Sequence, residues 1–309
     1  MEIELLAFES MGVRSMATVV RTKDATIVID PSAALAPRRY GLPPHRLEVE
    51  RLFRVFEVIE DRVRDSDIVV ITHYHYDHHD PGRFMDLAVF RGKKLVVKNP
   101  GSKINASQRI RAHRFLKLVK DLAREVVVGD GIEIAVGGTR ISISKPVPHG
   151  ESARLGYVLE VCVDDGDDRV LYTSDVEGLP LDEQLEHFNV CKPRIAIVDG
   201  PPTYLVGYKF GLKSFEKSLN NLVKVLEMPW IELLVLDHHS ARELEYREKL
   251  KLVFEKAAEL GKRILLASEF MGLEPDLLEA RRRELFEIDP RDGMELLKAR
   301  GRGESDLGE

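Results

Sequence analysis

Six of the ten histidines fall in two tight groups. The first, in the run His73-Tyr74-His75-Tyr76-Asp77-His78-His79, carries the strongest chemical signal in the chain. It follows segment 67–72, a short apolar run with the composition of a buried strand. In extended backbone, residues two apart point the same way. His73 and His75 can therefore meet one metal ion while Asp77 and His78, where the chain turns, meet another. Imidazole and carboxylate are ligands that zinc, iron and manganese accept. A surface loop rich in His and Asp is the plain alternative, but this spacing directly after an apolar strand is far more demanding than an isolated histidine. The second group, His238-His239, again follows an apolar segment, 231–236.

The elements that must position these residues read as alternating strands and helices. Segments 2–8, 13–22 and 25–30 are strand-like, and 31–44 is a proline-bearing loop too long for a simple connector. Segment 47–64 has apolar residues at helical spacing, Leu52, Phe53, Phe56 and Ile59. Asp80-Pro81 has the form of a helix start. A strand at 94–98 and a basic helix at 107–123 follow. Strands then cluster over 125–174, with a hairpin turn at 164–168. Strands at 194–198, 231–236 and 263–267 alternate with helices. Strands that cluster and then alternate with helices, in both halves of the chain, suit two sheets with helices outside. The expected division is one domain over 1–272 and a charged helical extension over 273–309, disordered at 301–309.

Composition bounds the rest. A chain of 309 residues, 44% hydrophobic, can bury a large core. No run of eighteen apolar residues exists, and the N-terminus lacks a secretory pattern, so a cytoplasmic, membrane-free protein is expected. Two cysteines, Cys162 and Cys191, exclude a disulfide scaffold and a cysteine-rich zinc site, and fit a reducing compartment. High charge (32%) with glutamine only at Gln108 and Gln184 points weakly to a thermophile. The net charge of −6 argues against a protein that coats nucleic acid. Yet segment 91–124 holds eleven Lys/Arg and one acid, Asp121, a net +10 that could steer a polyanion. A solvated helix face is the bland reading of such a block.

The histidine run resembles the metal-binding signature of the metallo-β-lactamase superfamily, and weaker matches follow in order. Asp30 in Ile-Val-Ile-Asp-Pro is similar to the early aspartate that stands behind a ligand and orients it. His149 in Pro-Val-Pro-His-Gly resembles the third histidine of the first metal. Asp175 in Thr-Ser-Asp-Val resembles the carboxylate shared by both metals, and His238 the last histidine of the second. His239 is the alternative to His238. Residues 37–45, Pro-Arg-Arg-Tyr-Gly-Leu-Pro-Pro-His, resemble a largely archaeal branch of the superfamily. The resemblance implies an α/β fold, a four-layer αβ/βα sandwich. It also implies a site with His73, His75 and His149 on one metal, Asp77, His78 and His238 on the other, and Asp175 between.

That resemblance implies a two-metal hydrolase using a metal-bridging hydroxide, with zinc the first choice of metal and manganese or iron as alternatives. Asp77 would orient the nucleophile or accept its proton. Candidate proton donors or substrate groups are Tyr40, His45, Tyr204, Tyr208 and His239, while His113 and His187 read as surface residues. The basic block favours a phosphodiesterase or nuclease acting on a small-molecule or nucleic-acid phosphodiester. A lactone or other small ester is the alternative substrate, and a non-catalytic metal-binding scaffold the third reading. The oligomeric state is not readable from the sequence.

Overall fold

Short β-branched runs build the first sheet. β1 (Glu2–Phe8), β2 (Met16–Arg21) and β3 (Thr26–Ile29) form an antiparallel meander. The helix α1 (Arg46–Arg64) then crosses back, and β4 (Ile68–Ile71), β5 (Lys94–Val97) and β6 (Glu125–Val128) continue the sheet in parallel, with α2 (Ala106–Val119) between the last two. These relations come from a computed structural model, which describes residues 1–301. The disorder expected at the C-terminus falls, beyond Gly301, outside the described residues.

The second sheet starts with the hairpin of β7 (Glu133–Val136) and β8 (Thr139–Ile143). A two-strand ribbon, β9 (Val147–Pro148) with β10 (Tyr157–Val158), interrupts it. β11 (Val161–Asp164) and β12 (Arg169–Tyr172) form the hairpin around 164–168. β13 (Ile195–Asp199), β14 (Leu233–Asp237) and β15 (Arg263–Leu265) then add in parallel, giving the order β15-β14-β13-β12-β11-β8-β7. The helices α3 (Glu186–Cys191), α4 (Leu212–Glu227), α5 (Tyr246–Lys249), α6 (Lys251–Glu259) and α7 (Ala267–Phe270) lie in this half.

Alternation along the central strands separates the layers. In β4, Ile68 and Val70 join the core between the sheets, whereas Val69 and Ile71 pack with Leu52, Phe56 and Ile59 of α1 and with Phe115 of α2. In β13, Ile195 and Ile197 face inward while Ala196 and Val198 meet Leu222, Val225 and Leu226 of α4. Strands covered on both faces read as continuous apolar runs. The result is helices, sheet, sheet, helices: the four-layer αβ/βα sandwich. No helix among the described residues is long and apolar enough to cross a membrane.

Four sequence expectations need correction. Asp80-Pro81 does not begin a helix: Gly82 at φ +90° cannot lie in a right-handed helix, and Asp80 instead accepts the N–H groups of Arg83, Phe84 and Met85 in a turn. His187 is buried, its Nε2 3.0 Å from the Ser142 carbonyl, because it sits on the inner face of α3. The two cysteines are paired, with Cα atoms 5.9 Å apart, fastening the end of α3 to β11. Such pairing runs against the usual reducing-compartment reading, although intracellular proteins of hyperthermophilic archaea also carry disulfides. The basic block is not one face either: Lys98 is buried against Asp130, while Arg114 and Lys117 lie exposed on α2.

Residues after 273 fold back over the proline-bearing loop. They include α8 (Arg282–Ile288) and α9 (Met294–Arg300). Arg282 is fully buried, pairs through two nitrogens with Glu48 at 2.7 and 2.8 Å, and donates to the carbonyls of Ala36 and Leu42. His45 caps α1 through Nδ1, while its Nε2 lies 2.8 Å from the Asp289 carbonyl. Removing one partner of a buried ion pair leaves an uncompensated charge. Arg282→Met is therefore expected to cost about 3–5 kcal/mol of stability. Adding Glu48→Gln should recover part of it, as denaturant unfolding would show; additive losses in the double variant would contradict the pairing.

Candidate metal centre

The C-terminal ends of β3, β4, β12, β13 and β14 come together at one rim of the sandwich, and the ionisable residues follow these ends. Three residues at these ends, Asp30, Ser174 and His238, take left-handed backbone at φ +49°, +58° and +55°. Such strain in non-glycine residues persists only where surrounding contacts fix it, and it concentrates at functional sites. Asp30 is buried at the end of β3. Its Oδ1 accepts the Thr72 N–H at 2.7 Å, and its Oδ2 accepts from the Thr72 and Tyr172 hydroxyls and lies 2.8 Å from His78 Nδ1. This fixes His78 with Nε2 as its outward nitrogen.

Asp175 is the focus. His78 Nε2 and His238 Nε2 lie 2.8 and 3.4 Å from its Oδ1, and His149 Nε2 and His73 Nε2 lie 3.1 and 3.5 Å from its Oδ2. One carboxylate oxygen thus serves each half of the constellation. The ligand-capable atoms of His73, His75, His149 and Asp175 fall within 4.8 Å of one another, as do those of Asp77, His78, Asp175 and His238. Divalent metal fits these residues. His73 Nε2, His78 Nε2 and Asp175 Oδ1 are buried and crowd one another, yet none makes a hydrogen bond of normal geometry. Native interiors rarely leave such atoms unsatisfied, and a bound ion is one reason they do.

The electrostatics show what metal would displace. Burial lowers His78, but Asp175 and Asp30 outweigh it and push its pKa up to about 10. His238 is raised well above its ordinary value, burial being outweighed by Glu9 and Asp175. Burial and the neighbouring His78 instead hold His73 down at about 4, and burial with His73 holds His75 well below its ordinary value. Asp175 stays ionised despite burial because His78 and His238 face it. Protons and cations therefore compete for the same imidazoles.

A cavity of about 150 Å³ opens over the cluster, with His75, Asp77, His149, Asp175 and His239 in its wall beside Arg14, Arg111 and Arg242. The structure brings together His73, His75, Asp77, His78, His149, Asp175 and His238, with Asp30 behind them. His239 lies at the same rim, its Nδ1 2.9 Å from Asp199. The Tyr204 hydroxyl is 3.4 Å from Arg242 Nη1. The other candidate groups are not brought to the cluster. Tyr40 donates to the Ala280 carbonyl, Tyr208 is 79% exposed, and His45 is the α1 cap. His113 is exposed on α2.

Residues 25–201 match the model of the β-lactamase superfamily domain. A UPF0282 protein of Metallosphaera sedula is 48% identical over 94% of both chains, and one of Sulfurisphaera tokodaii is 45% identical over 93% of both. The chain belongs to the β-lactamase superfamily and to its UPF0282 family. Among solved structures, unliganded yeast PDE1 aligns with a TM-score of 0.52 at 13% identity, over 86% of this chain and 97% of that one, a likeness of fold alone. The superfamily is largely one of metal-dependent hydrolases, and the His/Asp cluster supplies candidate ligands for divalent metal in this UPF0282 member.

Several residues around the centre escaped the sequence reading. Glu9 Oε2 lies 2.7 Å from His238 Nδ1, and Glu9 Oε1 accepts from Arg242 Nε at 2.7 Å. Asp199 receives the backbone N–H groups of Glu177 and His239 as well as the His239 ring. The Gln108 amide nitrogen, at the start of α2, lies 3.3 Å from His75 Nε2. The only sequence signals for these groups were an acid or amide next to an element end, and such residues are common.

Proposed function

We propose that this chain is a metal-dependent phosphodiesterase that uses two divalent metals, zinc in the first place, on a phosphodiester small enough to enter the cavity. One observation carries this reading: His75, Asp77, His149 and Asp175, drawn from the two ligand groups, line a cavity whose wall also holds Arg14, Arg111 and Arg242. A neutral lactone or ester offers this basic wall only uncharged acceptors, whereas a phosphodiester adds a negative charge that complements it. Divalent metal held by His73, His75, His149, Asp77, His78, His238 and Asp175 supplies Lewis acidity and an acidified water as nucleophile.

The chain's own groups do the remaining work. Asp77, ionised and 3.9 Å from His238 Nε2, orients the attacking water. His239 donates Nδ1–H to Asp199, so its Nε2 lone pair is the ring nitrogen left for the cavity. Burial and the Arg242 charge keep that imidazole neutral at rest. It takes the proton of the water as the new P–O bond forms and passes it to the leaving oxygen as the old bond breaks. This role makes His238 rather than His239 the preferred ligand, in keeping with its place beside Asp77, His78 and Asp175.

The test is turnover of a chromogenic bis-aryl phosphodiester beside a chromogenic lactone by metal-replete protein, with Asp77→Asn as control. Phosphodiester turnover is expected, and His239→Gln should lower it about 10²–10⁴-fold, the usual contribution of a positioned acid–base group. Lactone turnover alone would overturn the assignment.

A further inference from the structure

Among the three guanidinium groups of the cavity wall, Arg242 stands beside two candidate metal ligands, His238 and Asp77. Its side chain is only 5% exposed, yet it lines the cavity. Nε donates to Glu9 Oε1 at 2.7 Å, and Nη1 is 3.4 Å from the Tyr204 hydroxyl. Nη2 lies 3.1 Å from His238 Nε2 and 3.9 Å from Asp77 Oδ2. A buried guanidinium is costly unless its N–H groups find acceptors. Here Nη2 faces the Nε2 of a candidate metal ligand, which once bound to metal offers it no lone pair.

With His238 Nε2 committed to metal, Nη2 has no acceptor there but stays in place, because Glu9 fastens Nε from behind. The same Glu9 carboxylate holds His238 through Nδ1, so guanidinium and imidazole are fixed relative to each other. Arg14, gripped by Glu279 at 2.7 and 2.8 Å, and Arg111, 4.4 Å from the Tyr76 ring centroid, add positive charge to other parts of the wall. Apolar contact comes from Ala34, Leu35 and Leu155.

We infer that Arg242 is the anion-recognition group of the site, donating Nη2–H to a non-bridging phosphoryl oxygen of a compact, negatively charged substrate held next to the metal centre. This rests on the phosphodiesterase reading for the identity of the anion, and it deepens that reading by naming the residue that separates charged from neutral substrates. The cavity is smaller than the ~300–1,000 Å³ of ordinary ligand pockets. That size favours a compact phosphodiester over a folded nucleic acid.

The experiment is calorimetric titration of the full-length, metal-loaded protein with inorganic phosphate, with metal content measured on the same samples. Arg242→Gln is expected to weaken phosphate binding about 10- to 100-fold, the usual worth of a charge-assisted hydrogen bond, at unchanged metal content. Arg242→Lys keeps a positive charge without the fork and should fall between the two, and it carries the test if the glutamine variant does not fold. Wild-type phosphate affinity in either metal-replete variant would overturn the inference. So would loss of metal from both variants, which would show that the guanidinium serves His238 alone. Phosphate binding that depends on Arg242 in a protein that turns over no phosphodiester would strike the hydrolase reading and leave anion recognition standing.

Discussion

Replacing Asp175 with alanine is expected to leave a folded protein that holds less than about half the wild-type metal and has lost at least ~100-fold in turnover, more than is usual for residues one step behind a metal ligand. The reason is its position between two sets of imidazoles. His73 and His149 face one of its oxygens, and His78 and His238 face the other. No other carboxylate belongs to both ligand groups. The apolar cores stay intact, but Asp175 is itself buried and faces His78 and His238, so the variant should fold with a loss of about 3–5 kcal/mol, which denaturant unfolding reads separately. The same geometry sets a pH dependence. In the metal-free state Asp175 and Asp30 hold a proton on His78 up to about pH 10. Loading metal near neutral pH must then expel that proton, so apparent metal affinity should rise with pH and protons should be released into unbuffered solution. Emission spectrometry of metal content and a pH indicator during metal titration check both parts. Full metal occupancy in Asp175→Ala, or loading without proton release, would remove Asp175 from the centre.

What the sequence made legible follows from where the signals were local. The run from His73 to His78 stands out because its spacing and the apolar strand before it lie within a dozen residues. His149, Asp175 and His238 could be found only by seeking strand ends in order after that run. The supporting groups had no such thread. Glu9 reaches His238 across 229 residues and Arg242 across 233, and Arg282 reaches Glu48 across 234. No periodicity or motif links positions so far apart, and topology alone brings them together. Proximity in sequence also misled. Tyr40 and His45 share the conspicuous proline-bearing loop, but their polar atoms are used by Ala280 and Asp289. Asp80-Pro81 had the residues of a helix start, and the backbone of Gly82 overrode them.

Asp30 offers the clearest separation of folding from ligand positioning. It is fully buried and satisfies four donors from three side chains and one backbone group: Thr72 N–H, the Thr72 hydroxyl, the Tyr172 hydroxyl and His78. Asp30→Ala strands all of them and puts alanine at φ +49°. A buried charged partner removed in this way costs about 3–5 kcal/mol, and the left-handed backbone adds about 1 kcal/mol or more. Asp30→Asn is the more informative change. Asparagine tolerates left-handed backbone, keeps the volume, and can still accept the Thr72 N–H through its carbonyl oxygen. Its amide nitrogen cannot accept from the Tyr172 hydroxyl or the His78 ring. Burial holds Tyr172 protonated, so its hydroxyl must lose an acceptor. The asparagine variant should therefore unfold closer to wild type than the alanine variant while binding metal about 10–100-fold more weakly, the range for groups that orient a ligand from behind. Denaturant unfolding of metal-free protein and competition with a chelator measure the two effects independently. Wild-type metal affinity in Asp30→Asn would mean that packing alone aims His78, and the carboxylate would then be a fold-stabilising group without a part in the metal centre.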